Sequence, residues 1–125
     1  MSSIKREDLP IAVAVGGLEL RFSPVGDMTL SFYHIPKGTD FASLLKGLPE
    51  DMCQCRHWGY LSKGKMLVHA RTGEEIVEAG HAFYMAPGHV PEFLEDCDLF
   101  EFAPTAEFKQ MMEHVTQQIS RTRRG

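Results

Sequence analysis

Short runs of alternating apolar and polar residues, each closed by a turn signal, recur along most of the chain. Met28, Leu30 and Phe32 alternate with Thr29 and Ser31, and Leu99 to Phe102 repeats the two-residue period. That period belongs to a β-strand with two different faces. It predicts strands at 18–22, 28–35, 53–61, 65–70, 75–78, 82–85 and 99–102. Gly16-Gly17, Pro24-Val25-Gly26-Asp27, Pro36-Lys37-Gly38, Lys63-Gly64-Lys65, Arg71-Thr72-Gly73 and Pro87-Gly88 punctuate these runs. Turn signals at intervals of about 8–12 residues belong to an all-β sandwich or barrel.

Two segments carry a helical period instead. Asp40 is placed to cap a short helix over 41–46, which Gly47 and Pro49 stop. After Pro104, Thr105 is placed to cap a longer helix to about residue 120. Its Phe108, Met111, Met112, Val115 and Ile119 form one apolar stripe. The stripe reads as a helix docked on its own barrel, with a partner-binding face as the alternative. Residues 1–125 are read as one domain, with a barrel over about 11–103 and the helix over about 105–120.

Composition narrows the function classes. A hydrophobic fraction of 43%, with eight Phe, three Tyr and one Trp, is enough for a core. Thirteen basic against 17 acidic residues, net −4, argue against nucleic acid as a partner. The tail Arg121-Thr122-Arg123-Arg124 reads as a solvated C-terminus. The apolar run at 11–15 is too short for a membrane span and lacks the flanks of a signal peptide, so no membrane contact and a cytoplasmic location are expected. Three cysteines, an odd number, suit a reducing compartment.

The densest chemistry is Cys53-Gln54-Cys55-Arg56-His57. On a strand, alternate side chains share a face, so Cys53, Cys55 and His57 would line one side. Thiolates with imidazole favour zinc, with iron or copper as the other divalent transition metals suited to the set. His89, in Pro87-Gly88-His89-Val90-Pro91, would complete a tetrahedral Cys2His2 site; without it, three ligands leave one position open. The competing reading makes both cysteines small buried hydrophobes. His57 at the next position on the same face favours ligation, because an unpartnered buried imidazole is costly.

Other residues carry weaker signals. Glu101 and Glu92 would act as general acid or base if they faced a pocket, and otherwise read as solvated carboxylates. His34 and His69 alternate with apolar neighbours and read as exposed rather than pocket-facing. His81 and His114 read as surface residues and Asp51 as a loop residue. Cys97 lacks the setting of a nucleophile. Trp58, Tyr60, Phe83, Tyr84 and Phe93 read as barrel core or pocket wall.

The run Trp58-Gly59-Tyr60-Leu61 into Gly64, followed by Gly80 and the Pro87-Gly88 turn, resembles the two-block pattern of the cupin superfamily over residues 28–103. His57 stands where that pattern has a glutamate, and Asp51 and Cys53 where it has a histidine pair. Pro91 stands at the place of its last histidine, with His89 two residues earlier. The chain is similar to small cupin-domain proteins that share the Cys-x-Cys-x-His-Trp-Gly block. The resemblance implies an all-β double-stranded β-helix, or jelly-roll, barrel with a short helix before the first motif and a helix at the C-terminus. It also implies a metal or small-molecule ligand in the barrel and a homodimer. It implies no particular reaction. A metal-dependent enzyme acting on a small organic substrate is the first expectation. A non-catalytic ligand or metal sensor and a metal-free structural barrel are the alternatives.

Overall fold

The computed structural model describes residues 3–124, with side chains through residue 121, so the side chains of Arg123 and Arg124 lie outside the described residues. Among the described residues nine strands form two sheets. They are β1 (Val13–Val15), β2 (Leu18–Val25), β3 (Met28–Ile35), β4 (His57–Lys63), β5 (Lys65–Ala70), β6 (Gly73–Glu78), β7 (Ala82–Met85), β8 (His89–Phe93) and β9 (Cys97–Pro104). The larger sheet runs β1-β2-β3-β9-β4-β7 and the smaller β6-β5-β8. All the pairings are antiparallel. The two sheets face one another without closing into one ladder, and Leu20, Ile35, Leu61, Met66, Phe93 and Cys97 fill the space between.

Helix α1 (Phe41–Leu45) begins at Asp40, whose carboxylate accepts the Ser43 N–H at 3.0 Å. Helix α2 (Thr105–Arg124) runs a turn beyond the expected end. It buries Phe108 and Val115 against the chain's own barrel, with Phe108 edge-on to Phe22 at 5.0 Å. His114 and Gln118, one turn apart, both hydrogen-bond the Lys46 carbonyl at 2.7 Å and tie α2 to the end of α1. Exposed Arg121 stands in the last turns of α2.

Two differences from the sequence expectations matter for the site. The run 53–61 is not one strand, because β4 begins at His57. Cys53 pairs instead with the turn before β8: its N–H donates to the His89 carbonyl at 2.9 Å, and its own carbonyl accepts the Gly88 N–H at 2.8 Å. Residues 54–56 therefore cross from one sheet to the other. Glu50 and Asp51, with φ of 59° and 57°, turn the chain into this crossing. The second difference is β8 itself, which contains Pro91. It is an edge strand of the smaller sheet, where a missing N–H is tolerated.

Gly64 makes the hinge between β4 and β5 with φ of +94°. A Cβ there would stand 2.3 Å from the Asp96 carbonyl oxygen and 2.7 Å from Cys97 Sγ. Only glycine lets the two sheets meet this closely at that corner.

Candidate metal centre

The crossing segment, the start of β4 and the start of β8 converge. Cys53, His57 and His89 are 3%, 5% and 2% exposed, so all three are cut off from solvent. One ligand atom from each lies within 4.8 Å of the others. Cys53 Sγ is 3.6 Å from His57 Nε2, and the two imidazoles meet edge to face at 5.1 Å. Tetrahedral donors at about 2.0–2.3 Å from an ion stand roughly 3.3–3.8 Å apart. The Cys53–His57 spacing already matches, and the donor set is that of zinc, copper or iron.

Hydrogen bonding orients the rings. His89 Nδ1 donates to the Ala86 carbonyl at 2.6 Å, which leaves Nε2 with the free lone pair. On His57, Nδ1 lies 3.8 Å from Glu101 Oε2 and 3.9 Å from Cys55 Sγ, while Nε2 faces Cys53. Both imidazoles thus present one nitrogen to the cluster and turn the other toward an acceptor or acid.

Burial sets the protonation states. It pushes the Cys53 thiol up to about 12 and the Cys55 thiol higher still. It pulls His57 and His89 down to about 4 each, with the neighbouring His57 adding to the effect on His89. It raises the Glu101 carboxyl to about 8. At neutral pH the site holds two neutral imidazoles, protonated thiols and a largely protonated carboxylic acid. A cation would reverse the cost of charging each acid.

Three of the four candidate ligands form this cluster, and Cys55 lies beside it: it is buried with Cys53, Leu45, Ala103 and Phe108 beneath α2, and its Sγ meets the other nitrogen of the His57 ring at 3.9 Å. Glu101, one of two carboxylates singled out in the sequence, faces the site at 7% exposure. Its room comes from Gly59, its register partner on β4: a Cβ at Gly59 would lie 3.0 Å from Glu101 Cγ and 2.5 Å from the Phe83 ring. Glu92 does not enter the site and instead binds His69 at 2.8 Å on the outside of the smaller sheet. His34 pairs with Asp98 at 2.7 Å on the outer face of the larger sheet, His81 is exposed, and Asp51 accepts the Gly47 N–H at 2.9 Å as a loop residue. Cys97 is core. Tyr33 was not anticipated. It is buried beside Glu101 and the cysteine pair, and its inward position on β3 is shared with Ser31 and Ile35.

Cys53, His57, His89, Glu101 and Tyr33 line one wall of an inner cavity of about 60 Å³, and Met66, Phe93 and Leu99 lie among its apolar walls. That volume holds a few waters or a very small ligand. Met85 and His89 also line a second cavity of about 480 Å³ between β6, β7 and the Pro87-Gly88 turn. The outer cavity has the size of a small-molecule site.

Helix α2 holds the crossing segment from outside. Glu107, in its first turn, accepts the Arg56 backbone N–H at 3.1 Å and grips the Arg56 guanidinium with both oxygens. Arg56 lies between Cys55 and His57, so this clamp sets the path of the ligand-bearing chain. Replacing Glu107 with alanine is expected to weaken metal uptake by about tenfold while the barrel stays folded, as loss of an outer partner of a ligand does. Titration with cobalt or zinc would check it, and unchanged affinity would show that the clamp does not position the site.

No protein-family model matches the chain, and no curated protein matches it in sequence. Solved structures do match. An RmlC-like cupin from Shewanella frigidimarina superposes with a TM-score of 0.58 at 16% identity, covering 78% of this chain and 86% of that one. KdgF from Halomonas sp. gives 0.61 at 19% identity, with 83% and 94% covered. Ectoine synthase from P. lautus gives 0.60 at 11% identity, with 83% and 78% covered. The architecture is the cupin jelly roll with a C-terminal helix, as the two-block resemblance implied. Among the described residues no helix is long and apolar enough to cross a membrane.

Proposed function

We propose that the chain is a metal-binding cupin that holds one divalent transition ion, zinc first, through Cys53, His57 and His89, and acts on a small organic substrate. The observation that carries this reading is the buried three-donor cluster on the wall of the inner cavity. Three protein ligands leave a coordination position, as catalytic sites do, whereas a closed Cys2His2 set would leave none. Cys55, across the ring from the cluster, is not needed to complete it.

A bound divalent ion supplies Lewis acidity toward a substrate oxygen. The chain's own groups supply the rest. Glu101 holds a proton beside His57 at neutral pH and would give it up above about 8, which suits a general acid or base. Apolar walls exclude water from the inner cavity, and the outer cavity, sharing His89 and Met85, offers the approach. The neighbours named KdgF and ectoine synthase support a small-molecule substrate by analogy of fold alone. The unpaired buried thiols suit a reducing compartment, the cytoplasm. A non-catalytic metal sensor is the second reading; the small inner volume favours it, because only a very small substrate would fit beside the cluster.

Elemental analysis of protein purified without chelator is expected to give close to one ion per chain, lost in Cys53→Ala and in His89→Ala with the barrel still folded. Because the Cys53 thiol is protonated up to about 12 without metal, each ion taken up expels at least one proton. Apparent affinity should therefore fall by about tenfold or more for each pH unit between 7.5 and 6.5. Protein that neither carries nor takes up zinc, iron or copper would overturn the reading.

A further inference from the structure

Met66 and Val68 of β5, Val77 of β6 and Phe93 of β8 give the smaller sheet an apolar inner face. Two residues break that face, His89 at the start of β8 and Glu75 on β6. Met66 pairs with Val77, and Val68 with Glu75. Residues two apart on a strand share a face, so Glu75 points inward with Val77. The other glutamates of β6 point outward and are paired: Glu74 lies 3.6 Å from His69 Nδ1, and Glu78 lies 3.9 Å from Lys65 Nζ. Among the described residues Glu75 has no hydrogen-bond or ion-pair partner. Its carboxylate remains exposed because β6 and β7 are both sheet edges, and the outer cavity opens between them. Single polar groups set among apolar walls are what orient ligands in pockets.

We propose that the outer cavity binds an organic ammonium group at Glu75, and that the substrate class is a short ω-amino carboxylate, its amine at Glu75 and its oxygen end toward His89. The ammonium site stands on the cavity alone; the substrate class rests also on the metal centre proposed above. Glu75 and His89 line the same cavity of about 480 Å³, whose walls include Val68, Val77, Phe83 and Met85. The ladder sets their separation. Glu75, Val68 and Pro91 form one row across the smaller sheet, and Gly73, Ala70 and His89 form the row two residues along. Two strand spacings of about 4.8 Å and two residues of about 3.4 Å put the Cα atoms about 12 Å apart. Less a polar contact of about 2–3 Å at each end, roughly 7 Å remains, the length of an extended chain of four or five carbons. Charge decides the sign of the ligand. Arg71 also lines the cavity, but its guanidinium donates to Glu50 Oε2 at 2.8 Å and to Gln54 Oε1 at 3.5 Å, while Glu74 is turned to His69. Among the described residues that leave Glu75 uncompensated, none supplies a second free oxygen beside it for a hard inorganic cation, which takes several. An ammonium on an apolar stem uses what is there, its N–H donors on the carboxylate and its methylenes on Val68, Val77 and Phe83.

Three probes of similar length separate the two ends: n-pentylammonium carries the amine alone, pentanoate the carboxylate alone, and 5-aminopentanoate both. Binding to the full chain is read from the NMR shifts of the Val68 and Val77 methyl groups. With chelator-treated protein, n-pentylammonium is expected to bind at least about tenfold more tightly than pentanoate. Glu75→Gln should abolish that preference, and Glu78→Gln, on the outward face, should keep it. Far-UV circular dichroism checks that each variant is folded. With zinc-loaded protein, 5-aminopentanoate is expected to gain at least about a further tenfold over n-pentylammonium. Equal affinity of the metal-free wild type for n-pentylammonium and pentanoate, or a preference that survives Glu75→Gln, would overturn the ammonium site whatever the metal content. Protein that holds no zinc would remove the metal centre and the substrate class with it, while the ammonium site is still decided by the metal-free titration. Protein that holds zinc but gives 5-aminopentanoate no advantage would overturn the substrate class and leave the metal centre standing.

Discussion

Gly64→Ala is expected to remove about 3–5 kcal/mol of stability, a large share of what a domain this size possesses. Two costs add at one position. A φ of +94° is unfavourable for any residue with a Cβ, worth about 1–3 kcal/mol. The methyl group would also stand 2.3 Å from a backbone oxygen, that of Asp96, which cannot move aside as a flexible side chain could. Relief requires β4 and the start of β9 to separate, and with them Cys97, which is fully buried. Thermal melting of the variant beside wild type measures the effect. A shift of only a degree or two would mean that the corner relaxes easily and that close approach of the sheets there is not required.

The metal-free protein is expected to be most stable near pH 6.5 and to lose stability on both sides. His57 and His89 have folded values near 4 against an ordinary 6.5, so both are neutral in the folded state and charged in the unfolded state between those limits. Their contribution is present above 6.5 and is lost as pH falls toward 4. Glu101 acts in the opposite sense: its folded value near 8 exceeds its ordinary 4.5, so its contribution is complete below 4.5 and declines as pH rises toward 8. From 4.5 to 6.5 the unfolded state binds a net one proton more, two from the histidines less one from Glu101. Stability climbs there by more than about 1 kcal/mol per unit. From 6.5 to 8 only Glu101 differs, and stability falls with a similar slope. Chemical denaturation of chelator-treated protein at half-unit pH steps would show the maximum. A profile flat from 5 to 8 would mean that water reaches these groups. Loading with zinc should remove the acid-side loss down to the pH where the metal itself dissociates.

The elements that were legible in the sequence are those in which one local rule decides. The strands 65–70 and 82–85 appear at the expected positions because their patterns and flanking turns agree. Asp40 caps its helix because a short acceptor three residues ahead of a free N–H is a purely local arrangement. The segment 53–61 read as one strand because alternation is blind to which ladder a residue joins. Cys53 hydrogen-bonds to the turn before β8 while His57 belongs to β4, and that pairing is a tertiary fact. The same blindness hid Tyr33: period two marks two faces of β3 without saying which is inward, and here the Thr29 and Ser31 face is the buried one. Of the candidate ligands, His57 and His89 were visible from their surroundings in the sequence. That Cys53 and Cys55 meet different nitrogens of the His57 ring was not, because it depends on the path of Arg56, which Glu107 fixes from a helix 51 residues away. Glu101 was visible only as a carboxylate of open role, since the space that admits it is the missing side chain of Gly59 on another strand.

Strand β4 separates two environments by the thickness of one backbone. His57 belongs to the buried cluster, and the next residue, Trp58, is 40% exposed on the outer face with its ring 5.1 Å from that of Tyr84. Trp58 is also the chain's single tryptophan. Its near-ultraviolet emission has no competing indole source, so one spectrum samples the residue that joins both regions. An open-shell ion would drain that excited state through space, a closed-shell ion would leave it bright, and a change in the polarity of the outer face would move its colour instead of its intensity. The fold has thereby placed an optical probe at the boundary between its chemistry and its surface.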